Sequence, residues 1–389
     1  MNEIFLDIGF DSLSKYNENL CGDHIEYIKG EKDQIVVLAD GLGSGVKASI
    51  LATLTSKIVS TMIAQGMSLT DCIETIAKTL PICKTRDIAY STFTVMHFIK
   101  NEEVEIIQYD NPSVILLRNN LNYEFYKTEI MIENKRIFHS RLKIQRGDCF
   151  VALSDGCVYA GVGKTLNFGW QRDNIVEFLL NQNDKSINAK TLVKLLLDKC
   201  NELYQSMPGD DSSCLVVRVI KREPLNLLLG PPKNRFDNNR MLSLFFAKEG
   251  KRIVCGGTTS QLVAKYLKEP IKTSLDYLDA TVPGLAIIEG IDLVTEGVIT
   301  INKVLIYVKD FLEENLMYQV WSNGKDGASQ IARLLIEEAT DISFYVGTAI
   351  NPAHQNPDLP INFSIKMQLV EELSSCLKKI GKNIKVSYF

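Results

Sequence analysis

The sequence has few of the residues that mark zinc, nucleic-acid or membrane-spanning sites. Only 4 of 389 residues are histidine, and no two of the nine cysteines are spaced as Cys-x-x-Cys, which disfavours a zinc site. No uninterrupted apolar run reaches the length of about 18 residues that a membrane helix requires. The net charge of −4, without a basic stripe, does not suit phosphate backbones or anionic lipids. We therefore expect neither a nucleic-acid nor a membrane partner.

The residues present are those of an ordinary globular protein with more than one core. Apolar residues make up 46% and charged residues 23% of the sequence. A single core rarely grows beyond about 250 to 300 residues, so this length predicts two domains. The first residues lack a basic segment followed by an apolar run, which predicts a cytoplasmic protein. The odd number and wide spacing of the cysteines predict reduced core thiols.

Short β-type runs dominate the chain up to Arg218. The ten runs are 5–11, 24–29, 34–39, 90–100, 103–109, 113–118, 122–127, 140–144, 149–154 and 213–220. Helical periodicity is found at 46–64, 69–79, 173–181 and 189–205. Ten short strands suit two stacked sheets better than one, so we expect two antiparallel sheets with flanking helices.

A domain boundary is indicated at 221–234, where Lys-Arg-Glu-Pro and then Gly-Pro-Pro interrupt both periodicities. We place the linker near 221–224, which gives domains 1–222 and 223–389. Beyond it, strands alternate with helices, as is typical of a smaller layered α/β domain. The predicted strands are 252–255, 342–346 and 385–389, and the predicted helices are 260–267, 298–314, 327–339 and 366–380.

Four aspartates of the first domain, Asp23, Asp40, Asp155 and Asp210, stand at strand ends or turns beside glycine. Each alone is compatible with common turn chemistry. Carboxylates brought together repel one another unless a cation compensates them. Oxygen ligands without softer neighbours suit Mg²⁺ or Mn²⁺, and two such ions about 3.5 to 4 Å apart assist displacement at phosphorus. The four together therefore predict two Mn²⁺ or Mg²⁺ ions and metal-bound water as the nucleophile.

Five motifs resemble, in the same order, those of the PPM phosphatases, also called the protein phosphatase 2C family, in its bacterial SpoIIE-like branch. They are Gly22-Asp23, Ala39-Asp40-Gly41 with the glycines up to Gly45, Tyr109-Asp110-Asn111-Pro112, Arg146-Gly147-Asp148 leading to Asp155-Gly156, and Asp210-Asp211-Ser212-Ser213. The resemblance covers nearly the whole first domain. It implies an α+β fold, a four-layer α-β-β-α sandwich with two antiparallel sheets.

The resemblance also implies roles for individual residues. Asp40 would bridge two metal ions, and the Gly41 carbonyl oxygen would bind one of them. Asp155 and Asp210 would complete the other site, while Asp23 would act through metal-bound water. The implied activity is hydrolysis of phosphoserine or phosphothreonine on a protein, through metal-activated water, in bacterial signalling.

The sequence departs from the family pattern at two places. Asp110-Asn111 stands where the family has Gly-His or Gly-Asn before proline, and no arginine occupies a phosphate-binding position near the amino terminus. Asp148 we interpret as ordering the turn before a strand.

The second domain has one anion-binding pattern. Residues 253–260 predict a strand, a glycine turn and a helix start, which offers backbone N–H groups and hydroxyls to an anion. The turn weakly resembles the phosphate loop of sugar-phosphate isomerase-like sensor domains, although Thr258 or Thr259 could equally cap the helix. The predicted pocket comprises Gly256, Gly257, Thr258, Thr259, Glu296 and His354. Its expected ligand is a small molecule or a protein effector that regulates the phosphatase.

Two other functions stay open at this stage. The chain could be a non-catalytic, ligand-responsive signalling scaffold, or a small-molecule phosphoesterase built by both domains. The intact set of four aspartates favours the enzyme, because a scaffold has no use for so much clustered negative charge.

Overall fold

The computed structural model describes residues 3–30, 33–68, 70–72, 74–75, 91–132, 135–182, 187–273, 285–313, 315–349 and 364–389. The chain forms two compact units, Met1–Lys221 and Arg222–Phe389.

The first unit contains two antiparallel sheets. The five-stranded sheet has the order β1-β11-β10-β6-β7, with β1 (Ile4–Leu13), β6 (Ile115–Arg118), β7 (Leu121–Asn122), β10 (Cys149–Leu153) and β11 (Ser212–Lys221). The six-stranded sheet has the order β2-β3-β4-β5-β9-β8, with β2 (Asp23–Lys29), β3 (Asp33–Gly41), β4 (Ser91–Ile99), β5 (Glu103–Tyr109), β8 (Thr128–Ile132) and β9 (Lys135–Lys143).

Four layers result from apolar residues on both faces of the central strands. In β3, Val36 and Leu38 pack toward the five-stranded sheet, while Val37 packs beneath helix α1 (Gly45–Ala64). The helices α3 (Arg172–Gln182) and α4 (Ala189–Leu203) cover the outer face of the five-stranded sheet. Because successive side chains of a strand point to opposite faces, a strand buried on both sides is apolar throughout. The predicted α-β-β-α sandwich is confirmed.

Helix α1 has the length and apolar composition of a membrane span, alone among the helices that the structure describes. Its small side chain Ala52 packs on β3, together with Val59 and Ile63. Core helices of this kind commonly meet the same two criteria.

Some predicted elements of the first unit differ from the structure. The predicted strand 122–127 is wrong, because β7 ends at Asn122 and the next strand begins at Thr128. Its alternating aromatic residues gave the strand pattern, but Tyr123 lies under the Arg118 guanidinium, 4.7 Å from it, and Tyr126 is 84% exposed. Of the predicted helix 69–79, residues 70–72 and 74–75 are helical, and the rest lie outside the described residues.

The second unit is a doubly wound α/β domain. Its sheet order is β14-β15-β16-β13-β12-β17-β18, with parallel pairing from β16 to β18. The strands are β12 (Pro224–Leu229), β13 (Lys251–Cys255), β14 (Lys272–Thr273), β15 (Ala286–Ile287), β16 (Leu293–Thr295), β17 (Asp341–Val346) and β18 (Asn383–Tyr388). One face is covered by α5 (Asn238–Ala247) and α6 (Gly257–Leu267). The other face is covered by α7 (Val298–Leu312), α8 (Tyr318–Asn323), α9 (Gly327–Arg333) and α10 (Ser364–Lys379).

Several elements of this unit have no counterpart in the sequence prediction. They are β12, α5, β14, β15, β16 and α8. Helix α6 begins at Gly257 rather than at residue 260. The predicted helix 327–339 also changes character, because α9 ends at Arg333 and continues as a π-helical turn over Leu334–Glu338.

Candidate active site

The four predicted aspartates converge at one end of the sandwich. Asp23 opens β2 and lies directly opposite Asp40, near the end of β3. Asp155 begins the short helix α2 (Asp155–Val158) immediately after β10, and Asp210 lies just before β11, the antiparallel neighbour of β10. Each sheet therefore contributes two carboxylates from adjacent strands.

Three glycines allow these turns to approach one another. A Cβ atom at Gly41 would overlap the backbone of Ala48 in the first turn of α1. At Gly156 it would overlap the Asp211 carbonyl oxygen, and at Gly22 it would lie 2.8 Å from Asp211 Oδ2. The glycines beside Asp23, Asp40 and Asp155 thus allow close packing, which brings these carboxylates together.

Burial, with neighbouring carboxylates adding to it, raises the pKa of every predicted aspartate. Burial, followed by the charges of Asp23, Asp155 and Asp210, raises the pKa of Asp40 to about 9. Burial raises the pKa of Asp23 to about 6, although hydroxyl groups of two serines oppose the shift. Burial also raises the pKa of Asp155 and that of Asp210, in each case with a neighbouring aspartate adding to it. In the absence of a cation, the cluster therefore retains protons.

The donor set fits hard divalent cations. Asp23 Oδ2 and Asp211 Oδ2 are buried and have no hydrogen-bond partner among the described residues. Asp40 lies within hydrogen-bonding reach of both Asp23 and Asp155. In the described ranges, no group of three or more His, Cys, Asp or Glu residues is already spaced for direct coordination. The side chains would therefore have to shift before they could coordinate an ion directly. Carboxylate and carbonyl oxygens without nitrogen or sulfur favour Mg²⁺ or Mn²⁺.

Three residues near the cluster, Lys15, Asp110 and Asp211, were not predicted as site residues from the sequence. Lys15 places its Nζ atom 3.9 Å from Asp210 Oδ1, and its backbone N–H donates to Asp211 Oδ1 at 3.0 Å. Asp110, which has a positive φ of 54°, is close enough to raise the pKa of Asp155 further, after burial and Asp210. Asp211 could have been identified from its place beside Asp210, whereas Lys15 has no local signal because its partners are almost 200 residues away.

Asp148 orders a turn and lies in a buried ion pair. Its carboxylate accepts from Arg118 Nε and Nη2, both at 2.7 Å, and from the Gln145 backbone N–H at 2.8 Å. Its side chain is 1% exposed. This agrees with the structural role assigned to it from the sequence.

Five of the six residues of the pocket predicted in the second unit lie among the described residues. Gly256, Gly257, Thr258, Thr259 and Glu296 lie where the adjacent parallel strands β13 and β16 end. The Thr259 hydroxyl accepts the Gly230 backbone N–H at 3.0 Å. Neither threonine caps α6, whose N-cap is Gly256. His354 lies outside the described residues.

A two-sheet sandwich with clustered carboxylates at the strand ends defines a phosphatase domain of the PP2C type. Residues 30–220 match the family described as Stage II sporulation protein E (SpoIIE). Residues 30–220 therefore form a phosphatase domain of the SpoIIE type, the family that the five motifs resemble. No curated protein sequence matches the chain.

Solved structures of similar shape include two from SpoIIE of Bacillus subtilis. One, the PP2C phosphatase domain with a fragment of the regulatory domain, is 17% identical with a TM-score of 0.48. The match covers 56% of this chain and 65% of that chain, so this chain spans less than two thirds of its length. The other, the phosphatase domain without domain swapping, is 18% identical with a TM-score of 0.43 and covers 57% and 95%. RsbX in complex with magnesium is 16% identical with a TM-score of 0.39 and covers 56% and 97%.

Proposed function

We propose that the chain is a metal-dependent protein serine/threonine phosphatase of bacterial signalling, regulated by its second unit. The observation that carries the proposal is the convergence of Asp23, Asp40, Asp155 and Asp210 with raised pKa values. So much buried negative charge destabilises the fold unless it serves a ligand of opposite charge.

The residues that would hold two Mn²⁺ or Mg²⁺ ions are Asp23, Asp40, Gly41, Asp155 and Asp210. Such ions polarise phosphoryl oxygens and lower the pKa of a bound water molecule. The protein's own contribution is to hold the carboxylates at the ends of two rigid sheets, so that little reorganisation accompanies the reaction.

Lys15 is the candidate for binding the substrate phosphate. Its ammonium group lies beside Asp210 at the rim of the cluster, and its side chain is 36% exposed. Its backbone is fixed by Asp211, while the long side chain can turn toward a phosphoryl oxygen. Lys15 can thus supply the positive charge at the phosphate, where the sequence has no arginine near the amino terminus.

The second unit is proposed to receive the regulatory signal, a small molecule or a protein effector. In doubly wound domains, ligands bind outside the carboxyl ends of the parallel strands. Gly256, Gly257, Thr258 and Glu296 lie at that edge, which supports this assignment. A chain that ends at Lys221 should retain the acid cluster, since all its members belong to the first unit.

The proposal is tested with p-nitrophenyl phosphate and a phosphothreonine peptide in the presence of Mn²⁺ or Mg²⁺. We expect Asp40→Asn and Asp155→Asn to lose activity by on the order of a hundredfold or more, because even residues that support metal ligands cost 10- to 100-fold. Asp173→Asn, an exposed acid at the start of α3, is the matched control. An inactive wild type would favour the scaffold. Loss of activity on truncation at Lys221 would favour a phosphoesterase built by both units.

A further inference from the structure

The loop after α2 carries three exposed apolar side chains beside the acid cluster. Tyr159 is 54% exposed, Val162 46% and Phe168 80%. We call these three residues the apolar platform. The same loop also buries Trp170, which packs edge-on against Phe178. Trp170 therefore anchors the loop in the core between the five-stranded sheet and its helices, and the apolar platform lies outside that core.

Hydrogen bonds hold this loop in one conformation. The Gly161 carbonyl oxygen accepts from the backbone N–H groups of Lys164, Thr165 and Leu166 at 2.9 to 3.1 Å. Lys164 Nζ donates to the Tyr204 carbonyl oxygen at 2.8 Å and to that of Met207 at 2.6 Å. These bonds attach the loop to the segment that leads to Asp210. The exposed side chains are thus presented by an ordered surface, which lowers the entropy cost of binding to it.

One member of the apolar platform, Tyr159, lies one helical turn from Asp155 of the acid cluster. The Tyr159 N–H donates to the Asp155 carbonyl oxygen at 2.9 Å, which closes one helical turn. Residues four apart lie on the same face of a helix, so Tyr159 follows Asp155 at about 6 Å along the axis. A Cβ atom at Gly169 would lie 2.8 Å from Tyr159 Cα and 3.0 Å from Val162 Cγ2. The residue after Phe168 therefore packs against both other members.

We propose that the apolar platform binds an apolar or aromatic side chain of the phosphoprotein, close in sequence to the phosphorylated residue. An extended peptide advances about 3.3 to 3.6 Å per residue, so a side chain about two positions away reaches Tyr159 when the phosphate lies at Asp155. Exposed apolar surface beside a polar site is typical of protein recognition. The inference rests on the proposed phosphatase activity and specifies its substrate as a segment with apolar flanks.

The test compares two phosphothreonine peptides, one with Leu and Phe at the two positions on each side and one with Gly and Ser there. Wild type should show the lower KM for the apolar peptide. The Tyr159→Ala/Phe168→Ala double variant should raise that KM by about tenfold, because both aromatic rings that the peptide contacts are removed. Its kcat and its activity on p-nitrophenyl phosphate should stay unchanged. Tyr126→Ala, which removes another exposed aromatic of the same unit, is the matched control.

Each outcome gives a separate answer. Equal KM values for both peptides in wild type, or an unchanged preference in the double variant, would refute substrate binding by the apolar platform. The proposed phosphatase activity would be unaffected by either result. An equal loss in Tyr126→Ala would overturn it as well. A wild type inactive on p-nitrophenyl phosphate and on both peptides would refute the phosphatase itself. Thermal melts of the variants show whether each one is folded.

Discussion

The buried ion pair of Arg118 and Asp148 should contribute much more to stability than an exposed pair of the same chemistry. In both Arg118–Asp148 and Arg141–Glu103, the shortest distance between the charged groups is 2.7 Å. Arg118 and Asp148 are 11% and 1% exposed, whereas Arg141 and Glu103 are 56% and 32% exposed. The comparison therefore isolates burial.

The expected magnitude follows from what Asp148→Ala leaves behind. Arg118 would keep its charge in a buried position, and the Gln145 N–H would lose its acceptor. Breaking a buried pair from one side costs about 3 to 5 kcal/mol. For a unit of this size, each kcal/mol lowers Tm by about 2 to 4 °C, so we expect a decrease of about 6 to 20 °C. Glu103→Ala should change Tm little, since its partner returns to water.

The assay is thermal unfolding of the full chain, and the Tm is read from the unfolding transition of the first unit. Arg118→Ala, Asp148→Ala and the double variant form a cycle whose coupling energy measures the pair. Phosphatase activity of folded Asp148→Ala, measured well below its Tm, should equal that of wild type. A Tm decrease no larger than that of Glu103→Ala would refute the assignment to a buried pair. Lost activity with an unchanged Tm would show that Asp148 takes part in catalysis.

Two further predictions concern the acid cluster. Because burial and neighbouring charges raise the pKa of Asp40 to about 9 and burial raises that of Asp23 to about 6, from 3.8, the folded state binds more protons than the unfolded one across this range. The metal-free protein should therefore lose stability as pH rises from about 5.5 to 8.5, and Mg²⁺ should raise its Tm most at the upper end of this range. Thermal melts in EDTA and in MgCl₂ check both expectations. A pH dependence of Tm that is as steep in Asp40→Asn as in wild type would contradict the reasoning. Lys15→Ala should raise the KM for p-nitrophenyl phosphate, because one contact between a positive charge and the phosphate is lost. The Mn²⁺ concentration for half-maximal activity should stay within about twofold of the wild-type value, because no metal ligand is changed. Lys15→Arg should restore the KM, whereas a shift confined to the Mn²⁺ requirement would place Lys15 at the metals instead.

The sandwich was predictable because its strands carry their own signals. The β3 run is apolar throughout, since both of its faces are buried, and it ends in an Asp-Gly turn. The aspartates were recognisable for the same reason, because each stands beside a glycine at a strand end. Lys15 was not recognisable, since its role depends on Asp211, which reaches it only in the folded chain.

The second unit was less predictable because its elements are short or begin with unusual residues. Pro224 opens β12, a position where proline is tolerated because a first residue need not donate to the ladder. Because Pro224 lies beside the residues that indicate the linker, the sequence pattern did not indicate this strand. The strand β16 has only three residues and its partner β15 two, too few to show a period. Sheet order, which makes this unit doubly wound, arises from pairing between distant strands and has no local pattern at all.

The close contacts of Gly22, Gly41 and Gly156 imply that the catalytic pocket is shaped by its backbone before any ion arrives. Cations would then bind and leave through movements of the carboxylate side chains, without unfolding the surrounding turns. Occupancy in the cell would follow the free concentration of divalent ions, so the supply of manganese or magnesium could set the pace of dephosphorylation.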